Sequence, residues 1–453
     1  MCYAIPGKII AIEGRRVTLE YFGEKREAIH ELPALALGDY VYAQGGWVID
    51  RIDPAEAASI LEFWREQFFQ LQATDLRLSR LSSEKSEIDR HVAVVFDRAI
   101  EELPLRDEEL LTLLELKSGH ELDYLYKVAN FLRYKHQGNS CCIHGIIEFS
   151  SHCSGSCLYC GISTWNRELP RYRLTREEIL EAVREAVEIW GFKALVLQSG
   201  EDPDRPIDEL AAIITEIRAR WPLLIFISCG EVGIPGLQRL FNAGARGLLM
   251  RFETSNPELY ARIRPGRILE NRMEQLRAAR DMGYLLITGG LIGIPGQTSR
   301  DLLNDILLAR SLRPDMYSFG PLIPHPATPL AKAVSPSSAE VRKVLAVCRI
   351  ADPRESRLVV TTAFETLDET AREQGLTSGA NSVMMNVTPD AVRPSYELYP
   401  DRAHARESIS GQIDVTLNLL GRLGRAPTDL GTRDSRILGS SVPESSTNGI
   451  PDQ

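Results

Sequence analysis

Three closely spaced cysteines are the residues best suited to chemistry in this chain of 453 residues. Cys153, Cys157 and Cys160 follow one another as C-x3-C-x2-C in the segment EFSSHCSGSCLYCGIS. Three thiolates on one loop can each bind one iron of a [4Fe–4S] cube, which leaves the fourth iron without a protein ligand. A structural zinc site normally takes four ligands, and the sequence has no second C-x2-C pair. We therefore predict a [4Fe–4S] cluster with one open iron, rather than a zinc site or unused cysteines.

The other cysteines of the chain carry weaker signals. Eight cysteines in 453 residues do not form a disulfide framework, and a reducing compartment keeps them as thiols. Cys229 and Cys348 lie in apolar segments and are interpreted as small buried residues. Cys141 and Cys142 are expected just before the first strand of the central section, and the sequence assigns them no function.

An alternation of strand and helix patterns must position the cysteine loop. Eight apolar, strand-like runs follow one another over roughly 250 residues, and helical patterns separate most of them. In the clearest helix, Thr175 and Glu178 form a capping box. This count predicts an α/β fold with a (β/α)8 TIM-type barrel. A doubly wound open sheet is less favoured, because no glycine-rich dinucleotide motif follows any strand. The cysteine loop follows the first strand, at the end of the barrel where active sites lie.

Further units are predicted on either side of this barrel. Short alternating strands broken by Gly and Pro predict a small N-terminal β-barrel of the OB type, followed by a helix that starts at Pro54. A polar stretch then suggests a linker, and the last residues, rich in Ser, Pro and Gly, are expected to be disordered. The predicted division is 1–75 for the small barrel and its helix, 76–91 for the linker, 92–142 for a helical lead-in, 143–425 for the large barrel and 426–453 for the tail.

Composition excludes several classes of protein. Hydrophobic residues make up 44% of the chain and charged residues 25%, as in ordinary soluble globular proteins. The 52 Lys and Arg residues against 62 Asp and Glu give a net charge of −10, which argues against nucleic acid as a partner. No apolar run approaches the ~18 residues of a membrane span, and MCYAIPGKII has neither a basic leader nor a long apolar segment. We therefore expect a cytoplasmic protein without a membrane partner.

The cysteine spacing, with Tyr159 before the third cysteine, resembles that of radical S-adenosylmethionine (SAM) enzymes. In that superfamily the open iron binds the amine and carboxylate of SAM, and electron transfer cleaves SAM to a 5′-deoxyadenosyl radical. The segments LVLQSGEDP, RFETSNPELY, GLIGIPGQT and GPLIPHPATPLA, among others, follow the order found in the HydE family of [FeFe]-hydrogenase maturases. This resemblance covers roughly residues 143–400. It implies maturation of a hydrogenase or a related organometallic iron site, a small-molecule or iron-complex substrate, and an electron donor of the ferredoxin or flavodoxin type.

The resemblance also assigns functions to side chains at the strand ends. Acidic groups after QSG would meet the cationic ammonium of SAM. Arg251 and Glu253 would alternate on one strand and face the same side, and they would be costly in the apolar run GLLMRF unless they are used. The implied catalytic residues are Arg251, Glu253 and Tyr396. The implied cofactor-binding residues are Tyr159, Gln198, Ser199, Gly200, Glu201, Asp202, Ser228, Glu231, Arg251, Glu253, Arg272, Thr361, Thr362, Met384 and Tyr399.

Simpler structural explanations compete for some of these residues. Glu201 and Asp202 could cap a helix, Tyr396 and Tyr399 could pack at the barrel end, and Met384 could belong to the core.

Two positions depart from the family pattern. Phe252 stands where many members have His, and no cysteine follows Tyr399. The accessory C-terminal iron–sulfur site of some HydE proteins is therefore missing, and one cluster is expected.

The N-terminal segment MCYAIPGKIIAIEG resembles the start of HypC/HupF-type chaperones of [NiFe]-hydrogenase maturation, which are small β-barrels followed by a helix. In that family the cysteine at position 2 helps to hold an iron fragment, and Cys2 matches it. Gln44 occupies the place of the family's partner His, so two hypotheses stay open. Residues 1–75 either handle metal or only dock other hydrogenase maturation proteins.

Two other functions also remain open from the sequence. One is a radical SAM enzyme that acts on an organic small molecule, like methylornithine synthase or biotin synthase. The other is a non-catalytic iron–sulfur carrier or scaffold. Turnover of SAM separates the carrier from the two enzymes.

Overall fold

The computed structural model describes residues 5–81, 87–354 and 356–428. Cys2, residues 82–86 of the predicted linker and residues 429–453 of the predicted tail lie outside the described residues. In the described part of the chain, no helix is both long and apolar enough to cross a membrane.

The N-terminal unit is a small closed β-barrel followed by a long helix. Its strand order is β1-β2-β3-β5-β4, and Val17, Leu19 and Val41 form its core. Trp64 and Phe68 of helix α1 pack onto that core, which confirms the predicted small barrel with its helix. The elements are β1 (Gly7–Glu13), β2 (Arg16–Tyr21), β3 (Glu24–Ile29), β4 (Tyr40–Gln44), β5 (Trp47–Ile52) and α1 (Pro54–Leu78).

Helix α1 extends three residues beyond the predicted boundary at 75. It ends at Leu78, and the next helix begins at Arg90, so the predicted linker 76–91 is helical at both ends. Three helices then lead to the large barrel: α2 (Arg90–Ile100), α3 (Asp107–Leu114) and α4 (Gly119–Gln137).

The central unit is a closed eight-stranded parallel barrel, as the sequence predicts. Its strands pair in the order β6-β7-β8-β9-β10-β12-β14-β15, and β15 pairs with β6 to close it. A separate two-stranded sheet joins β11 to β13. The strands are β6 (Cys142–Ser150), β7 (Ala194–Ser199), β8 (Leu224–Ser228), β9 (Gly247–Leu249), β10 (Leu285–Thr288), β11 (Leu291–Ile292), β12 (Met316–Tyr317), β13 (Gly320–Pro321), β14 (Arg357–Val360) and β15 (Ser382–Asn386). Strand β6 begins at Cys142, which corrects the expectation that Cys142 precedes the strand.

Helices cover the outside of this barrel and bury its outward-facing residues in one large apolar cluster. A π-helical turn, Glu185–Ile189, extends α5, and a short 3-10 helix covers Arg393–Ser395. The α-helices are α5 (Arg176–Arg184), α6 (Ile207–Arg220), α7 (Gly233–Ala243), α8 (Pro257–Ile263), α9 (Leu269–Asp281), α10 (Ser299–Ser311), α11 (Ser338–Ala351), α12 (Thr362–Leu367), α13 (Ala371–Leu376) and α14 (Ile409–Arg422).

The small barrel closes the amino end of the large one. Ile29 and Trp47 share an apolar cluster with Leu224 and Leu285, which begin β8 and β10. Gly45, at φ +59° in the turn between β4 and β5, lies so close that a Cβ would come within 2.9 Å of Leu285 Cδ1. Glycine is therefore required at this contact. The cysteine loop lies at the opposite end of the barrel, after β6.

A buried ion cluster joins α1 to the large barrel. Asp75 accepts hydrogen bonds from Arg133 Nη1 and Nη2 at 2.6 and 2.7 Å, and Arg425 Nε lies 3.2 Å from the same carboxylate. All three side chains are at most 1% exposed. The negative charge of one carboxylate thus faces the positive charges of two buried guanidinium groups.

Candidate active site at the carboxyl ends of the barrel strands

The loop after β6 carries the three predicted cluster cysteines. The Sγ atom of Cys153 accepts hydrogen bonds from the backbone N–H groups of Gly155 at 3.3 Å and Glu201 at 3.4 Å. A Cβ on Gly155 would lie 3.2 Å from the sulfur of Cys153 and 3.8 Å from that of Cys157. Both sulfurs therefore lie within 4 Å of one position, which the absence of a side chain at Gly155 leaves open.

The donor chemistry of this loop fits an iron–sulfur cluster. Among the described residues, no three His, Cys, Asp or Glu side chains surround a position for one metal ion. A cube needs a wider arrangement, since each thiolate binds a different iron. Burial raises the pKa of the Cys153, Cys157 and Cys160 thiols, so binding of iron must displace their protons.

Gly200 lets the loop after β7 pack against the cysteine loop. A Cβ at this position would lie 2.3 Å from the carbonyl oxygen of His152 and 2.6 Å from Cys153 Cβ. Only glycine fits there, and the next residue, Glu201, can then direct its N–H at the Cys153 sulfur. The close packing of the two loops thus requires glycine at position 200, a residue that the family resemblance assigned to cofactor binding.

A network of carboxylates and arginines lies beside the cysteine loop. Arg264 Nη2 lies 3.2 Å from Glu201 Oε1, and Arg267 pairs with the other oxygen of that carboxylate. Arg272 Nε lies 2.9 Å from Glu231 Oε1. The sequence analysis missed Arg264 and Arg267, although the segment ARIRPGR directly after RFETSNPELY was a usable signal.

Asp202 is engaged by the protein itself. Its carboxylate accepts two hydrogen bonds from Arg173, at 2.7 and 2.6 Å, and one from Ser150 Oγ at 2.6 Å. Burial alone would raise the pKa of Asp202, but the hydrogen bonds from Arg173 and Ser150 outweigh burial and lower it to about 2. Asp202 therefore ties the end of β6 to the loop after β7.

This pairing predicts an acid-dependent loss of stability. The folded pKa of Asp202 lies below the unfolded value of about 3.9, so its stabilising contribution is complete above that pH and is lost as the pH falls toward about 2. In urea unfolding of cluster-free protein between pH 5 and 2, Asp202→Asn should be less stable than wild type at pH 5, with a difference that shrinks on acidification. Arg173→Gln should behave alike. A difference independent of pH would contradict the pairing.

A central cavity of about 250 Å³ opens below the cysteine loop, inside the barrel. Gln198 Nε2 donates to the hydroxyl of Tyr396 across it at 3.4 Å. The cavity brings together most of the predicted residues: Gln198, Ser199, Ser228, Arg251, Glu253, Arg272, Thr361, Thr362, Met384, Tyr396 and Tyr399.

A neighbouring cavity of about 370 Å³ lies between the loops after β7 and β8. Its lining includes five predicted residues: Ser199, Gly200, Glu201, Asp202 and Glu231. Cys229 also lines this cavity and is only partly buried, whereas Cys348 is buried. Tyr159 lines neither cavity and packs against the apolar cluster around Leu259 and Leu322. Apart from Tyr159, the predicted cofactor-binding residues thus line two adjoining cavities.

The predicted placement of Arg251 and Glu253 on one strand is wrong. Strand β9 ends at Leu249, and the chain then bends to form a bridge between Glu253 and Gly290. Glu253 has a φ of +72°, in the left-handed region, and Phe252 is buried in the outer core. The two side chains nevertheless meet in the cavity, where Arg251 Nε lies 3.5 Å from Glu253 Oε2.

Glu253 provides an acceptor in the central cavity that has the Arg251 guanidinium 3.5 Å away but no hydrogen bond. Its Oε2 atom is buried and accepts no hydrogen bond from the described part of the chain. A buried carboxylate oxygen is costly unless a cation or a donor meets it, so this position fits the ammonium or hydroxyl groups of a bound ligand.

Glu148 and Arg402 form a second charged pair that sequence reasoning missed. Glu148 lies on β6, is fully buried, pairs with Arg402 and accepts a hydrogen bond from Asn386 Nδ2 at 2.9 Å. Arg402 lines the central cavity and donates to the carbonyl oxygen of Tyr396 at 3.1 Å. A charged residue in the apolar run IIEFS was the available signal, since the strand alternation points it into the barrel.

An eight-stranded parallel barrel with a C-x3-C-x2-C loop after its first strand defines a radical SAM enzyme, which binds a [4Fe–4S] cluster and SAM. Residues 147–309 match the profile of the Radical SAM superfamily, and residues 1–64 match that of the HupF/HypC family. The chain is 39% identical over 303 residues to the [FeFe] hydrogenase maturase subunit HydE of Thermotoga maritima, covering 67% of this chain and 86% of that protein. The chain therefore belongs to the HydE family of radical SAM proteins.

Similarity extends to enzymes of amino-acid chemistry. A 3-methylornithine synthase of Methanosarcina barkeri is 31% identical over 331 residues, covering 72% of this chain and 92% of that protein. A crystal structure of methylornithine synthase (PylB) superposes with a TM-score of 0.66 at 27% identity, covering 74% of this chain and 97% of that one. The maturase HydG shares the fold, with a TM-score of 0.61 at 20% identity, covering 74% of this chain and 76% of that one.

Proposed function

We propose that this protein uses radical SAM chemistry to modify a small molecule or an iron complex in the assembly of a hydrogenase's organometallic iron site. The observation that carries the proposal is the central cavity, which places Arg251, Glu253 and Tyr396 below the cysteine loop. The similarity to HydE over 86% of that relative's length supports this assignment. When bound, the reduced cluster supplies the electron that cleaves SAM to methionine and a 5′-deoxyadenosyl radical.

The charged groups of the two cavities bind and orient the ligands. Glu253, whose Oε2 atom accepts no hydrogen bond from the described residues, meets the positively charged or hydroxyl groups of SAM, and Arg251 meets a carboxylate. The Glu148–Arg402 pair, Tyr396 and Tyr399 border the lower part of the cavity, where the substrate lies. The barrel walls exclude water from the reacting atoms.

The electron comes from outside this chain. We propose a one-electron donor of the ferredoxin or flavodoxin type, since the sequence carries a single cluster motif. We also propose a cytoplasmic location, because the three thiols must stay reduced until iron is bound.

Arg251→Ala should weaken binding of SAM while leaving the iron content unchanged. The loss of a charge-assisted partner in a buried site costs about 1–3 kcal/mol, or roughly a 5- to 150-fold higher Kd. Anaerobic titration of reconstituted protein with SAM measures the change. Arg239→Ala removes an exposed arginine paired with Asp208 and serves as the matched control. Equal affinities for the two variants would assign Arg251 a structural role.

Complementation tests the proposed function in the cell. The full chain should restore hydrogenase activity to a strain that lacks its own HydE-family maturase. Protein that cleaves SAM but fails to restore activity would contradict the maturation function. Isomerisation of an amino acid by such protein would favour the activity named for the methylornithine synthases.

Cys2→Ala should reduce this restored activity several-fold while leaving reductive SAM cleavage unchanged. Residues 1–64 match the HupF/HypC family, and we propose that Cys2 contributes to handling of an iron-bearing intermediate. The point variant is preferred to deletion of 1–75, because deletion would expose the large-barrel residues that Trp47 covers and would remove Asp75. Lys8→Ala, an exposed change on β1, is the control. If the Cys2→Ala variant restored full hydrogenase activity, the small barrel would serve only to dock other proteins.

A further inference from the structure

A fully buried carboxylate on α10 lies outside the lining of both cavities. Asp305 accepts four hydrogen bonds, and each donor is a neutral hydroxyl, amide or backbone N–H group. Burial raises the pKa of Asp305 to about 6, although these hydrogen bonds oppose the shift. A buried carboxylate that faces neutral donors alone is costly. The groups that donate to it therefore indicate what this carboxylate does.

Three of the four hydrogen bonds fix the turn that carries Glu253. Asp305 Oδ1 accepts from Thr254 Oγ1 at 3.1 Å, from Ser255 Oγ at 2.6 Å and from the backbone N–H of Ser255. Thr254 and Ser255 directly follow Glu253, whose φ of +72° lies in the left-handed region. That backbone conformation is unfavourable for a residue with a side chain, so contacts of the neighbouring residues must hold it.

The fourth hydrogen bond closes a ring around this turn. Gln297 Nε2 donates to Asp305 Oδ2 at 3.0 Å and to the carbonyl oxygen of Leu291 at 2.9 Å. The backbone N–H of Leu291, the first residue of β11, donates to the carbonyl oxygen of Glu253 at 2.7 Å. The backbone of Glu253 is therefore fixed on one side by β11 and on the other side by Asp305.

The conformation of this turn decides where the carboxylate of Glu253 lies in the central cavity. Its Oε2 atom lies 3.5 Å from Arg251 Nε, and its Oε1 atom lies 3.9 Å from Arg272 Nη1. All three side chains line the cavity. Because the side chain leaves the backbone at the residue with the positive φ, any change in the turn moves the carboxylate relative to both arginines.

We propose that Asp305 is a positioning residue that holds Glu253 in the orientation in which its carboxylate meets the ligand of the central cavity. Asp305 acts through Thr254 and Ser255 and touches no ligand itself. This inference deepens the proposed function and rests on it, because it requires that Glu253 binds SAM.

A double-mutant cycle tests whether Asp305 acts through Glu253. Anaerobic titration with SAM at equal iron content gives the Kd of full-length reconstituted wild type, Asp305→Ala, Glu253→Ala and the double variant. Each single change should raise the Kd about ten-fold or more. The double variant should bind SAM no more than about two-fold more weakly than the weaker single variant, since Asp305 then has no carboxylate to position. Asp305→Asn keeps an oxygen acceptor for Thr254 and Ser255 and should recover most of the affinity.

Leu303→Ala is the matched control for a merely structural effect. Leu303 lies on the same helix and is equally buried, but it belongs to the outer apolar core. Denaturant unfolding should show that Leu303→Ala is destabilised, whereas its Kd for SAM should equal that of wild type. If Asp305→Ala fails to fold, Ser255→Ala removes one donor of the same carboxylate and replaces it in the cycle, with a Kd several-fold higher than that of wild type.

The cycle separates failure of this inference from failure of the proposed function. Additive effects of Asp305→Ala and Glu253→Ala would overturn the positioning function alone, as would wild-type affinity of Asp305→Ala. Wild-type affinity of Glu253→Ala would overturn both the binding of SAM by Glu253 and the function inferred for Asp305.

Discussion

Replacing Cys153, Cys157 and Cys160 together with Ala is expected to abolish iron binding at the barrel mouth and every SAM-dependent property of the protein. The three thiols lie on one loop after β6, and a [4Fe–4S] cube held by three cysteines loses all of its protein ligands in this variant. Anaerobically reconstituted wild-type protein should contain about four irons at this site. Its reduced form should give an electron paramagnetic resonance signal that SAM alters, because SAM binds at the open iron.

The control for this variant removes cysteines elsewhere. Cys141 and Cys348 are both buried, and both lie among the outer apolar residues of the barrel. Changing these two to Ala should leave the iron content and the SAM-dependent signal intact. A triple variant that still held about four irons and still responded to SAM would refute the assignment of the cluster.

Asp75→Ala is expected to lower the free energy of unfolding by about 3–5 kcal/mol, which is the usual cost of removing one partner from a buried ion pair. Asp75 faces two guanidinium groups, and all three side chains are at most 1% exposed. Burial and the nearby Arg133 lower the pKa of Arg425 to about 9, so the variant would leave two poorly solvated cations together.

Denaturant unfolding of the full chain measures this effect. Glu62→Ala is the matched control, an exposed carboxylate on the same helix, and it should change stability by no more than about 0.5 kcal/mol. Equal stability of the two variants would show that the docking of α1 does not depend on this ion cluster.

Local sequence patterns were sufficient for the fold and for the cluster loop. The apolar runs marked all eight strands of the barrel, because each strand buries both of its faces and therefore reads as a continuous apolar segment. The cysteine motif follows β6 directly, so its position at the carboxyl ends of the strands came with the barrel prediction. Gly200 came instead from the family resemblance, which matched the segment after β7 to a loop that binds SAM.

Contacts between distant parts of the chain could not be read from the sequence. Strand β9 stops at Leu249 because the following segment pairs with Gly290, and no local pattern marks that partner. Arg264 and Arg267 reach Glu201 across more than 60 residues. Gln44 and Cys142 meet across 98 residues, in a contact that exists only because the small barrel closes the large one. Such pairings depend on how whole elements pack together.

Reductive cleavage of SAM by the reconstituted full-length protein tests the central claim most directly. The protein is reconstituted with iron and sulfide without oxygen, reduced with dithionite and given SAM, and 5′-deoxyadenosine and methionine are then quantified by mass spectrometry. The account predicts that both products form in equal amounts, and that neither forms with the triple cysteine variant. Iron-loaded wild-type protein that binds SAM but leaves it intact under these conditions would contradict the account and favour an iron–sulfur carrier.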